Sequence, residues 1–285
     1  MRSAAAAARS KDRFQDAGRE LPPALFLNQP GEYPMDLRGF AKFSLVDYPG
    51  RIACIVFSGG CNLRCPFCHN PCLVLDPTSQ PRVTEREFFK FLDSRRGLLE
   101  GVVISGGEPT LQKDLPEFVA GIRERGFMVK LDTNGTRPEV LSRLLEASGV
   151  DALGIDYKLP AARYSEVAAD PESGRELADK VAASLRLALA SGIEPDVRTT
   201  VHRAMLSPDD LKRMWQELSA LGVKRWFLQQ FNPVEVLADG LEKLETYADS
   251  ELARLARSLD PSGAVRVRGL HGREIQFDAR QHAEL

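Results

Sequence analysis

Residues 101–135 read GVVISGGEPTLQKDLPEFVAGIRERGFMVKLDTNG, and their pattern decides the fold. GVVIS at 101–105 is apolar almost throughout, as a strand buried on both faces should be. A glycine-rich polar loop follows it. Leu115, Phe118, Val119 and Ile122 then fall at i, i+3, i+4 and i+7, the stripe of an amphipathic helix. Gly126 stands where a left-handed residue would stop that helix, and FMVKLD at 127–132 opens a second strand. Strand, helix and strand in this order form a unit whose strands run parallel with a right-handed crossover.

The alternation continues on both sides. Further strands are read at IACIVFS (52–58), DALGID (151–156), PDVRTTV (195–201) and RWFLQQF (225–231). Leu211, Met214, Trp215, Leu218 and Leu221 repeat the helical stripe. Thr84 with Glu87 makes a capping-box pattern, and Ser207-Pro208 sets a cap before a first-turn proline. Gly149, Gly192 and Gly222 are expected to end helices as Gly126 does. Six such units predict an α/β fold, a partial (β/α)6 TIM-like barrel. The pattern leaves a doubly wound sheet open. Either architecture gathers chemistry at the C-terminal strand ends. Those ends hold Ser105 to Glu108, Asp132 to Gly135, Asp156 to Lys158, Arg198 to His202, and then Gln229, Gln230 and Asn232. Helix caps and ordinary loop polarity account for part of this set.

The 285 residues suit one large domain plus an extension. We read residues 1–35, rich in Ala and Arg, as an N-terminal extension. Residues 36–285 are the domain, with a C-terminal tail from about 240. Apolar residues make up 43% and charged residues 27%, and the net charge is −2. Nothing in that balance points to nucleic acid or an anionic membrane surface. No apolar run approaches the roughly 20 residues of a membrane span. The acidic residues Asp12, Asp16 and Glu20 argue against a transit peptide, and the short apolar stretch argues against a secretory signal. A cytoplasmic location is expected.

The five cysteines, Cys54, Cys61, Cys65, Cys68 and Cys72, crowd into one short region. A disulfide framework would spread them along the chain and favour an even count. Clustered thiols in a reducing compartment read as metal ligands. Cys61, Cys65 and Cys68 share one tight loop at the end of the first predicted strand. Soft thiolates select zinc, copper(I) or iron–sulfur clusters. A structural zinc would need His69 or Cys72 as its fourth ligand. A fully ligated four-cysteine cluster would need Cys72. Three thiolates on a four-iron cube would leave one iron open, able to take the amino and carboxylate groups of S-adenosylmethionine. Cys54 lies within the strand and reads as a small core residue, Cys72 as a loop thiol.

At these residues the sequence resembles the radical S-adenosylmethionine superfamily, whose signature is this cysteine spacing with an aromatic residue, here Phe67, before the last cysteine. The resemblance covers roughly residues 37 to 270. Ser105-Gly106-Gly107-Glu108-Pro109 matches the family's motif after the second strand. There the backbone and Glu108 are implied to receive the ammonium of the methionine moiety. The family carries a 4Fe-4S cluster on its three cysteines and reductively cleaves S-adenosylmethionine to a 5′-deoxyadenosyl radical.

Within the superfamily the sequence is most similar to glycyl-radical-enzyme activases, of the type serving anaerobic ribonucleoside-triphosphate reductase. The segments are Gly39 to Gly50, with its Asp47-Tyr-Pro-Gly50 turn, Cys68-His-Asn-Pro71, Leu131 to Gly135, and Asp156-Tyr-Lys158. The resemblance implies a substrate-facing role for Asp47. It also implies a cofactor pocket from Asp132, Thr133, Asn134 and Asp156, with a monovalent cation between the two aspartates. Lys158 belongs to the same segments, and Arg198 matches an arginine that faces the active site. The implied partner is a glycyl radical enzyme, and the implied electron donor a flavodoxin- or ferredoxin-type protein.

The chain departs from some activases. No histidine occurs around Gln229 to Asn232, where pyruvate formate-lyase activases place one, and no extra cysteines exist for auxiliary clusters. His69 and His202 read as hydrogen-bonded structural residues. The competing readings are a radical enzyme acting on a small molecule, similar to 7-carboxy-7-deazaguanine synthase, and a non-enzymatic iron–sulfur or zinc protein.

Overall fold

The computed structural model describes residues 35–234, 236–270 and 273–275. One eight-stranded sheet, in chain order throughout, curls around the interior. Its strands are β1 (Leu37–Ser44), β2 (Ala53–Ser58), β3 (Gly101–Gly106), β4 (Met128–Thr133), β5 (Ala152–Asp156), β6 (Asp196–Val201), β7 (Trp226–Gln230) and β8 (Val265–Arg268). β1 runs antiparallel to β2, and every later pairing is parallel. The helices are α1 (Pro71–Leu75), α2 (Glu85–Asp93), α3 (Leu115–Glu124), α4 (Pro138–Glu146), α5 (Gly174–Ala190), α6 (Pro208–Ala220) and α7 (Asp249–Leu259).

β2 to β7 are the six strands expected from the apolar runs. Two strands lie outside that expectation. β1 closes the first edge with an irregular register. The stretch from about 240, expected as a tail, instead supplies α7 and β8, so the βα alternation runs one unit further. The extension read over residues 1–35 lies outside the described residues apart from Met35.

Local chemistry explains the boundaries. Thr84 Oγ1 accepts from the Glu87 N–H at 3.2 Å, while Glu87 returns a bond to the Thr84 N–H. Ser207 and Asp210 make the same reciprocal pair at the start of α6. Gly126, Gly192 and Gly222 take positive φ, as a helix stop needs. Gly149 does not. Ser148 carries the positive φ of 48° there, and the Gly149 N–H reaches back to Leu144 O at 2.8 Å. A Cβ on Gly149 would meet Leu144 O and Val119 Cγ1, each at 3.2 Å, so this glycine serves close packing rather than handedness.

The main core lies between sheet and helices. Val102, Ile104, Val129 and Leu131 are buried there with Phe88, Phe118 and Ile122. Inside the barrel the surroundings divide. Tyr48, Ala53, Ile55 and Val103 form a small apolar cluster on one side. Ionic side chains from β4, β5 and β6 fill the other. Among the described residues no helix is long and apolar enough to cross a membrane.

Candidate functional site

The loop after β2 carries Cys61, Cys65 and Cys68, and three remote segments fix its path. Arg64 N–H donates to Val167 O at 2.7 Å, and Leu63 bridges Ala168. Ala238 N–H donates to Pro66 O and Leu237 N–H to Cys68 O, at 2.9 and 3.2 Å. Asn62 donates to Thr136 Oγ1 and accepts from Asn134 Nδ2, at 2.8 and 3.0 Å. The Arg64 guanidinium binds the loop's own carbonyls at Cys61 and Leu63. The thiols are sheltered. Burial pushes the Cys65 thiol up to about 12 and Cys61 up to about 11, against the Lys158 ammonium, which favours the thiolate at both. Leu63 N–H and Asn134 Nδ2 point at Cys61 Sγ, at 3.4 and 3.8 Å. Hydrogen bonds to sulfur of this kind tune the potential of an iron–sulfur centre.

Gly106 and Gly107 follow β3 and leave no room for a side chain. A Cβ on Gly106 would stand 2.3 Å from Ser58 N, and one on Gly107 would stand 2.0 Å from Gly60 O. Both glycines let the β3 end pack against the backbone that launches the cysteine loop. Glu108 is 1% exposed. Its Oε1 accepts from Thr110 N–H at 3.0 Å and from the hydroxyls of Thr110 and Thr133, at 2.5 and 2.7 Å. Its Oε2 accepts from Asn134 N–H at 2.7 Å. Burial nevertheless raises its carboxyl above the ordinary range. Glu108 therefore ties the loop after β3 to the loop after β4.

Asp132 lies one residue before the end of β4, Asp156 ends β5, and Arg198 lies on β6. The guanidinium reaches both carboxylates, with Nε 2.7 Å from Asp156 Oδ1 and Nη1 3.2 Å from Asp132 Oδ2. Lys158 Nζ holds Asp156 Oδ2 at 2.9 Å, and buried Lys130 pairs with Asp132 Oδ1. Burial alone would raise Asp156, yet Arg198 and Lys158 hold it well below the usual carboxylate range. Below this group, Arg268 of β8 grips Asp196 of β6 through two bonds of 2.7 and 2.8 Å. Arg198 thus stands where the resemblance placed a monovalent cation.

A cavity of about 360 Å³ opens among these elements, and every candidate residue lines it. The cysteine loop brings Cys61, Cys65, Phe67 and Cys68. The next strand ends bring Gly106, Gly107, Glu108, Asp132, Thr133 and Asn134. Asp156, Lys158 and Arg198 line its ionic side. Asp47 reaches it from the turn joining β1 to β2, its carboxylate held by Ser44 Oγ. His69, which also lines it, lies 3.0 Å through Nε2 from Asn232 O. His202 is fully buried, and its Nδ1 accepts from Ala204 N–H at 3.1 Å. Cys54 is buried in the core and Cys72 exposed.

The sequence reading missed Lys130, Gly154 and Asn62. Lys130 interrupts an apolar run and therefore points to the opposite face from Val129 and Leu131. That alternation was the available signal.

Four cations (Lys130, Lys158, Arg198, Arg268) face three carboxylates (Asp132, Asp156, Asp196) in the barrel. Of these, Lys158 and Arg198 bring positive charge to the same cavity that the three thiols line. Among the described residues no three His, Cys, Asp or Glu side chains converge as the ligands of a single ion do. A cube takes each thiolate on a separate iron. Three thiols on one short loop, all lining one cavity, are a donor set that fits a 4Fe-4S cluster.

Comparison with known proteins follows the same line. A family model described as the Radical SAM superfamily matches residues 55–228. A protein of Methanocaldococcus jannaschii named as a glycyl-radical enzyme activating enzyme is 32% identical over 220 residues, 77% of this chain and 89% of its own. The pyruvate formate-lyase-activating enzyme of Listeria monocytogenes is 40% identical over 124 residues, 39% of this chain and 48% of its own. In three dimensions the chain is similar to a radical SAM methyltransferase from Sphaerobacter thermophilus. That likeness has a TM-score of 0.59 at 16% identity, covers 80% of this chain and 68% of the other, and is one of fold.

Proposed function

The chain belongs to the Radical SAM superfamily, and from that membership we propose that it activates a glycyl radical enzyme, specifically an anaerobic ribonucleoside-triphosphate reductase. Similarity over most of its length to a glycyl-radical enzyme activating enzyme supports the general activity. The observation that carries the reading is the cavity itself. Three thiols at one wall, the Asp132–Arg198–Asp156 group at another and Asp47 at the turn side face one space.

Cys61, Cys65 and Cys68 would hold the cluster, which when bound would supply the one electron needed to cleave S-adenosylmethionine into methionine and a 5′-deoxyadenosyl radical able to take a hydrogen atom from a glycine Cα. The chain's residues hold and orient. Phe67 and the loops after β3 and β4, which line the cavity, would enclose the adenosyl and methionine parts. The backbone at Gly106 and Gly107 offers carbonyls to the ammonium, with Glu108 bracing that loop. Lys158 and Arg198 supply positive charge near the carboxylate. Thr133 and Asn134 join the pocket through their bonds to Glu108. Asp47 meets the incoming peptide. A glycine is a fitting target, because it lets the partner's backbone approach closely and flanking amides stabilise its carbon radical. Thiols of this kind persist in the cytoplasm, where a flavodoxin- or ferredoxin-type protein would donate the electron.

The test is anaerobic reconstitution with iron and sulfide, then incubation with dithionite, S-adenosylmethionine and the reductase. A glycyl radical seen by electron paramagnetic resonance, with 5′-deoxyadenosine formed, is the expected result. Turnover of a free small molecule with no protein radical would reject the activase reading. Zinc bound without sulfide would reject the radical mechanism altogether.

A further inference from the structure

Lys130 is a buried lysine with no part in the chemistry described so far. It sits on β4, 1% exposed, with its ammonium on Asp132 Oδ1. Its neighbours complete the set. All four oxygens of Asp132 and Asp156 have a fixed cationic partner: Lys130, the two guanidinium contacts of Arg198, and Lys158. The fit is tight. A Cβ on Gly154, between the two aspartates, would stand 2.3 Å from Asp132 Oδ1 and 3.1 Å from Arg198 Cζ.

A monovalent metal cation binds through oxygens. Here it would have to displace an ammonium or guanidinium and then sit beside the remaining positive charges. Displaced from a site this buried, Lys130 would have no water to receive its charge. The residues present do not fit such an ion.

We infer that Lys130 is a built-in counter-cation: with Arg198 it occupies the place of a dissociable Na⁺ or K⁺, so the cofactor pocket is complete without either ion. Lys130 acts as a positioning residue, holding Asp132 in the orientation that Arg198 and the pocket require. The inference rests on the reading that this pocket takes S-adenosylmethionine.

The experiment uses the reconstituted full chain in buffers whose only monovalent cation is choline, Na⁺ or K⁺. S-adenosylmethionine affinity is read from the change it causes in the reduced cluster's paramagnetic resonance spectrum. The wild type should bind equally in all three buffers. Lys130→Met should lose about tenfold or more in choline, the usual scale for removing a group that supports a site. Na⁺ or K⁺ should restore most of that loss, and ²³Na line broadening should appear in the variant alone. A lesion of folding would not be repaired by an ion. A wild type that weakens when Na⁺ and K⁺ are withdrawn overturns the inference, and this arm needs no variant. A Lys130→Met protein that is equally weak in every buffer, or unaffected in all of them, overturns it too. A wild type that binds no S-adenosylmethionine in any buffer rejects the cofactor reading itself, which separates that failure from this one.

Discussion

Gly154 shows how one missing side chain can make room for an ion pair. Its neighbours on β5, Leu153 and Ile155, are buried in the main core, so residue 154 faces the barrel interior. A methyl group there would overlap Asp132 Oδ1 and press on the Arg198 guanidinium. Gly154→Ala should therefore destabilise by about 1–3 kcal/mol, the usual range for overpacking, and weaken S-adenosylmethionine binding as well. Urea melts and binding to the reconstituted protein would show both. Unchanged affinity would mean that the Asp132–Arg198 contact is dispensable. Glu108 is constrained by hydrogen bonding instead. Both its oxygens accept from N–H or O–H groups. Glu108→Gln must turn one oxygen into a donor facing a donor, so a loss of about 1–3 kcal/mol is expected, read as a lower midpoint in urea. A neutral result would show that the loops after β3 and β4 hold together without it. At this scale the sequence was informative wherever chemistry dictates residue type, as in the cysteines, the paired glycines and the strand-end aspartates. Lys130 was hidden because a lone lysine in a strand looks like a solvated residue. Only the curled sheet shows that its side is an interior.

The elements were legible because two periods alternate cleanly along the chain. β2 to β7 fall within a residue or two of the apolar runs that predicted them. The capping box at Thr84 and the cap at Ser207 form as their sequences indicate, and Asp210 adds a reciprocal bond at Ser207. The Ser207 cap also sets Asp210, whose carboxylate pairs with Arg163 at 2.8 Å. Ser207→Ala should cost about 1 kcal/mol, which in a chain of this size lowers the thermal midpoint by about 2–4 °C. A melt indistinguishable from wild type would mean that tertiary packing alone starts α6. The edges were harder to read. β1 has bulged pairing and a glycine within it, both of which blur the alternation. β8 is a short VRVR run with one arginine held inside the fold, Arg268 gripping Asp196. In sequence that reads as polar tail. Ser148 in place of Gly149 is a failure of another kind. Both residues lie at the helix stop, and only packing against Leu144 and Val119 decides which of them turns left-handed.

At the scale of the whole molecule, the cysteine loop is a junction. It is bonded to the segment before α5, to the loop after β4 and to the stretch following β7. Whatever binds its thiols therefore stabilises one end of the barrel as a unit. The proton balance makes this measurable. In the metal-free protein burial raises Cys65 from 9.0 to about 12 and Cys61 to about 11. A group with a raised folded pKa contributes stability that is complete below its unfolded value and lost as pH climbs through the folded one. The metal-free chain should therefore lose stability progressively above about pH 9. Cluster loading replaces those protons, so loading should be favoured as pH rises and weakened as it falls. The loaded protein should lack the part of the alkaline decline that belongs to Cys61 and Cys65. Cys54, also raised to about 12 by burial, keeps its thiol in both forms and cancels in the difference. Anaerobic melts of the metal-free and loaded protein across alkaline pH provide the test. Loading should raise the midpoint at neutral pH, and the gap between the two forms should widen as pH rises. If the two melts coincide at every pH, the loop's hydrogen bonds to three distant segments do not transmit binding to the barrel.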